Sequence, residues 1–203
     1  MEIIKQLPKY FFESVQDKAI RQLSVLKKPG YYVGMHTVRM NINGVIRKTI
    51  IPPLYLYTNG LTEKGVDSRH IDYRIAYDGR PFPFSHVFGK SGWLCLGDIP
   101  VPYYVSPYDL MSPLETLFLY NDRNVNHGGA KLKMTANQSN WLTHWADSLN
   151  LQINTTKPDL IPHDTLWDLN AQLLEKYPID TAYQHAEELF QAMFPPKAQK
   201  GTP

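Results

Sequence analysis

This chain of 203 residues holds one cysteine, Cys95, which excludes an internal disulfide and a zinc site of the cysteine-rich kind. No stretch approaches the roughly 18 consecutive apolar residues of a membrane span, and Met1 to Pro8 lacks the charged and apolar regions of a secretory leader. The expected location is therefore the cytoplasm, with no membrane partner. Lys and Arg total 21 against 19 Asp and Glu, a formal net charge of +2 without any basic run, so no nucleic acid partner is expected. The seven histidines form no helical His-x-x-x-His pair, Gly89-Lys90 lacks the rest of a phosphate-binding loop, and there is no Gly-x-Ser-x-Gly elbow. Neither a metal nor a cofactor is expected. What is abundant is Pro, 16 residues, and Tyr, 13 residues, in a chain that is 43% hydrophobic and 20% charged. That is the composition of a globular α+β protein whose strands are joined by proline-shaped turns.

The spacing of Phe11, Phe12, Val15, Ala19, Ile20, Leu23 and Leu26 predicts an N-terminal helix up to Lys27, stopped by Pro29-Gly30. Tyr31 to Ile42 and Val45 to Ile51 read as strands around Asn43-Gly44, the strongest hairpin signal in the chain. Leu54 to Thr58 and Ile71 to Tyr77 complete a predicted four-stranded antiparallel meander. Pro81 and Pro83 make Arg80 to Phe84 an extended stretch that is not a central strand, leading to an irregular loop around Cys95. Helices are predicted from Ser112 to about Tyr120, from about Asn137 to Leu149, from Asp164 to Tyr177 and from Asp180 to Phe194. The domain reading is an α+β domain over 1–157, a C-terminal helical hairpin over 158–194 packed on it, and a disordered tail over 195–203, rich in Pro and Lys.

The order of elements and the residues around the cysteine resemble those of ubiquitin-conjugating (E2) enzymes. Gly92-Trp93-Leu94-Cys95-Leu96 matches the Gly-x-Ile-Cys-Leu element of that family. Phe84-Ser85-His86-Val87 stands where the family has a His-Pro-Asn turn, with His86 in place of the asparagine, and Val105-Ser106-Pro107 resembles its Trp-Ser-Pro element without the tryptophan. The resemblance runs over residues 11 to 150 and is motif-level within 80 to 125. Its Cys-Leu-Gly form is nearest to divergent bacterial E2-like proteins associated with E1-like enzymes and JAB-type peptidases.

The resemblance implies a carrier that accepts the C-terminus of a ubiquitin-like protein from an E1-like activating enzyme, as a thioester on Cys95, and passes it to an amine or another nucleophile. A JAB-type peptidase is implied as a further partner. The thiolate is the nucleophile, so Cys95 must be reachable. His86 can donate a hydrogen bond to an oxyanion, as asparagine does, and can also move a proton near neutral pH, as asparagine cannot. The resemblance further points to the loop Asn121 to Gly129, where Asp122 and His127 are the candidates to orient or deprotonate the acceptor. Two other readings use the same residues: an inactive E2-like binding module, and a cysteine hydrolase pairing Cys95 with His86 or His127 and Asp122. Against all three stands the plain role of a cysteine as a small buried hydrophobe. The flanking Gly92 and Gly97 and the prolines on both sides argue for an accessible thiol instead.

Overall fold

The computed structural model describes residues 12–14, 30–57, 61–62, 65–66, 74–77, 80–81, 84, 86–88, 93–96, 99, 111–120, 131–154 and 160–194. Its centre is a hairpin made by β2 (Gly30–Val33), β3 (His36–Ile42), β4 (Val45–Ile51) and β5 (Leu54–Tyr57). Asn43 and Gly44 at its tip both have positive φ, 55° and 86°, the conformation of a tight two-residue hairpin turn. The Gly44 N–H donates to Asn41 Oδ1 at 2.9 Å and locks the turn from the strand side. From there β3 pairs with β4, from Ile42↔Val45 to His36↔Ile51, and β2 pairs with β5, from Val33↔Leu54 to Gly30↔Tyr57. The register is the same throughout. Gly34 and Met35 therefore lie opposite Pro53 and Pro52, where proline offers no N–H and the ladder is interrupted without changing step.

This arrangement corrects the expected four-stranded meander. The predicted third strand, Leu54 to Thr58, does not fold back on the second; its described part, β5, continues in line with β4. The next row is β8 (Arg74–Tyr77), antiparallel to β5 with Tyr55↔Ala76. A short pair, β6 (Leu61–Thr62) and β7 (Gly65–Val66), precedes it, and β9 (Arg80–Pro81) adds to its side. Then come β10 (Val87–Phe88) and β11 (Trp93–Leu94), joined to the sheet by Trp93↔Arg74. On the other edge β1 (Phe12–Ser14) pairs with β2, Phe12↔Val33 to Ser14↔Tyr31. The expected N-terminal helix over Phe11 to Lys27 is thus a strand at Phe12–Ser14, because the open edge of β2 supplies backbone partners there that outweigh helical spacing; residues 15–29 lie outside the described residues. The sheet order is β1-β2-β5-β8-β11-β10.

The four helices among the described residues are α1 (Met111–Leu119), α2 (Ala136–Ser148), α3 (His163–Lys176) and α4 (Ile179–Met193), close to where periodicity put them. A small sheet of β12 (Lys131–Lys133) and β13 (Leu160–Pro162) precedes α2 and α3 and was not anticipated. Alternation on β3 turns Val38, Met40 and Ile42 inward, and α1 and α3 cover that face. On α3, Leu166, Trp167, Leu169, Asn170, Ala171 and Leu173 are all buried, so apolar contacts surround most of its circumference, as expected of a central helix. α4 packs on α3, and α2 on α4. Thr135 caps α2 through a reciprocal capping box with Gln138, whose side-chain amide also donates to the Met193 carbonyl at 3.1 Å, tying the start of α2 to the end of α4.

Arg47 on β4 donates to Asp168 and, at 2.8 Å, to Glu175 on α3, and the Thr49 hydroxyl donates to the Trp167 carbonyl at 3.3 Å. A partly exposed ion pair contributes about 1 kcal/mol or less, whereas burying one large apolar side chain contributes roughly 1.5–3 kcal/mol. The apolar face therefore drives α3 onto the hairpin, and the polar contacts select how far along it sits.

Two outcomes are expected. Gly44→Ala should lose about 1–2 kcal/mol in urea unfolding although nothing lies within 4 Å of an added Cβ, since the cost is the positive φ alone. Gly34→Ala, equally unobstructed and without positive φ, should be neutral or stabilising. Separately, burial lowers the pKa of His163, at the start of α3, to about 4. The unfolded chain then binds a proton that the folded one refuses between its ordinary value, 6.5, and 4. Stability should consequently fall with pH across that window, by on the order of 3 kcal/mol at its lower end. His163→Leu should flatten this part of the pH dependence, read as urea midpoints at pH 7 and pH 5; an unchanged slope would show that His163 does not carry it.

Candidate functional site

The segment around Cys95 is more regular than its sequence implies. β10 and β11 pair as Phe88↔Trp93 and Val87↔Leu94. The Cys95 N–H then donates to the His86 carbonyl at 2.8 Å. That bond closes the end of the ladder beside Val87↔Leu94 and sets the main chains of Cys95 and His86 next to each other. Val87 and Leu94, one step back, are buried in the core.

His86 is only 6% exposed, whereas Cys95 is half-buried. One neighbour of His86 is Phe84, whose ring centroid lies 5.4 Å from that of the imidazole at an interplanar angle of 31°. Phe84 in turn meets Phe118 of α1 edge to face, at 5.1 Å and 76°. On the C-terminal side of the cysteine, the Ile99 N–H donates to the Leu96 carbonyl at 3.1 Å, and both side chains pack partly buried against the core. The main chain at Cys95 is thus held on both flanks, and the residue is half-buried.

Of the four residues singled out from the sequence, Cys95 and His86 are joined by one main-chain hydrogen bond. Asp122 and His127 lie outside the described residues. Phe84 and Phe118 were not recognised as parts of the site; the Pro81-Phe82-Pro83-Phe84 run marked the extended stretch, but nothing in its pattern joins Phe84 to a helix 34 positions later. Among the described residues no group of three or more His, Cys, Asp and Glu side chains is placed to hold a metal ion, and no helix is long and apolar enough to cross a membrane.

A half-buried thiol should react with N-ethylmaleimide in the native protein, at one site and more slowly than in urea. Equal rates in the two conditions, or no native labelling, would contradict the exposure assigned to Cys95. No family model matches this chain, and no curated protein or solved structure is significantly similar to it.

Proposed function

We propose that this protein is an E2-like carrier that accepts a ubiquitin-like protein as a thioester on Cys95 and transfers it to an amine or another nucleophile. The observation that supports this most is a half-buried cysteine at the end of the β10–β11 ladder, with its N–H bonded to the His86 carbonyl. The α+β succession, an antiparallel sheet leading into the cysteine segment and then helices, agrees with an E2-like fold. In this reading the protein works in the cytoplasm with an E1-like enzyme, and a JAB-type peptidase belongs to the same system.

In the loading step the Cys95 thiolate attacks the carbonyl carbon of the thioester on the E1-like enzyme. A carbon–sulfur bond to Cys95 forms, the one to the donor cysteine breaks, and the departing sulfur takes up the proton that Cys95 gave away. In the transfer step the acceptor nitrogen attacks the same carbon, the bond to Cys95 breaks, and the nitrogen's proton passes to a base. His86 is assigned to that role, since an imidazole can accept a proton. Asp122 and His127 are assigned to orienting the acceptor.

The test is to express tagged protein in its native cells and separate it under denaturing conditions. The parent should carry an adduct released by thiol reductant, Cys95→Ser an adduct that resists reductant but yields to hydroxylamine, and Cys95→Ala none. Mass spectrometry should identify a protein joined through its C-terminus. An adduct unaffected by Cys95→Ala, or none in any form, would remove the carrier reading.

A further inference from the structure

Among the described residues, four large hydrophobic side chains are exposed, and two of them, Val45 and Ile46, are neighbours at the tip of the central hairpin, 59% and 50% exposed. Alternation puts Ile46 on the face of β4 turned away from Val38, Met40 and Ile42, and Lys48, two positions on, shares that face. Across the ladder stand Asn41, opposite Ile46, and Arg39, opposite Lys48. Arg39 and Lys48 are both exposed, and among the described residues no carboxylate pairs with either. The third cation of the two strands, Arg47, lies on the other face, where Asp168 and Glu175 engage it. Two cations directly opposed across a ladder destabilise it, and the aliphatic pair beside them is left in water. Either feature alone is ordinary on a protein surface; side by side they make a patch short of both negative charge and apolar cover. It ends at the next position on the same face, Ile50, which is fully buried. The turn that carries it is held by the Gly44 N–H on Asn41 Oδ1, so little of it has to be ordered by an occupant.

We infer that this patch docks an acidic segment of another protein, whose carboxylates meet Arg39 and Lys48 while an aliphatic side chain of the same segment covers Ile46 and Val45. Charge complementarity gives the occupant its sign, and the number of cations gives its class. The patch has two, whereas a duplex nucleic acid or an anionic lipid surface is held by on the order of four to ten. A polypeptide also supplies carboxylates and aliphatic groups within a few residues of each other, which a nucleic acid does not. The site is independent of Cys95 and of the carrier reading.

Short random peptides displayed on phage and selected on the full chain provide the test. The enriched sequences should be rich in Asp and Glu and carry at least one Val, Ile or Leu. A synthetic copy of one of them, followed by fluorescence anisotropy, should bind more weakly as salt rises from about 0.05 M to 0.5 M. Arg39→Gln and Lys48→Gln should each weaken it by about three- to fivefold, Ile46→Ser should weaken it comparably, and the double charge reversal Arg39→Glu with Lys48→Glu should abolish it. Urea unfolding separates loss of binding from loss of fold: Arg39→Gln and Lys48→Gln should be at least as stable as the parent, because the opposed charges are relieved. Should the double reversal not fold, the two single variants decide the question. Cys95→Ala should bind the peptide as the parent does, so failure of the carrier reading and failure of this one are told apart. The inference is overturned if selection brings no acidic enrichment or if the peptide binds the charge-reversed chain as well as the parent. It is equally overturned if a thymidine oligonucleotide or a phosphatidylserine vesicle binds the parent more tightly than the peptide and responds to the same substitutions.

Discussion

Asn43 and Gly44 both occupy the left-handed region, and a two-residue turn of that kind lets the strands beside it meet in one register only. All the other rows of the main sheet are placed from that pairing. A slip of one residue would turn Val38, Met40 and Ile42 out to solvent and their polar alternates inward, and it would also move β5, on which β8 pairs. Through β8 the error would reach β11 and the cysteine that follows it. Pro52 and Pro53 interrupt the hydrogen bonding but keep the step, so the information set at the tip passes through to β2 and β5.

The helices confirm that register from outside. α3 is covered by apolar contacts on most sides, and Arg47 and Thr49 engage it at Asp168, Glu175 and Trp167. Those polar contacts are individually weak, but each fits only one relative position of strand and helix. Gln172 does the same for the segment before α3, pairing with both backbone groups of Gln152 at 3.0 Å. The apolar surface supplies the stability of this core, and the buried or half-buried polar groups make its arrangement unique.

What could be read from the sequence follows from element length. Helices of 9 to 15 residues give several turns of periodic signal, and all four were located within a few positions. The Asn43-Gly44 hairpin was legible because its turn requires particular residues. Two-residue strands such as β10 and β11 carry no periodicity, so the ladder behind Cys95 stayed invisible and its surroundings looked irregular. Pro52-Pro53 marks only a gap in the bonding between β4 and β5, across which the register continues. At Phe12–Ser14 a tertiary edge overrode local spacing. Cys95 could be singled out by its flanks, but its main-chain bond to His86 depends on a register that becomes apparent only once the strands are paired.

The contact between β4 and α3 has a bearing on how the chain emerges from the ribosome. Arg47 and Asp168 are 121 positions apart. At about 5–20 residues per second, the completed hairpin waits on the order of ten seconds for the helix that covers it. During that interval its apolar face is open and its strands could pair with another chain. Arg39 and Lys48 stand directly opposite each other on the exposed face, a like-charged pair that costs the hairpin some stability. The same two charges repel a second copy at the time when the nascent hairpin is most vulnerable, which gives an unfavourable pairing in the finished protein a use while it is being made.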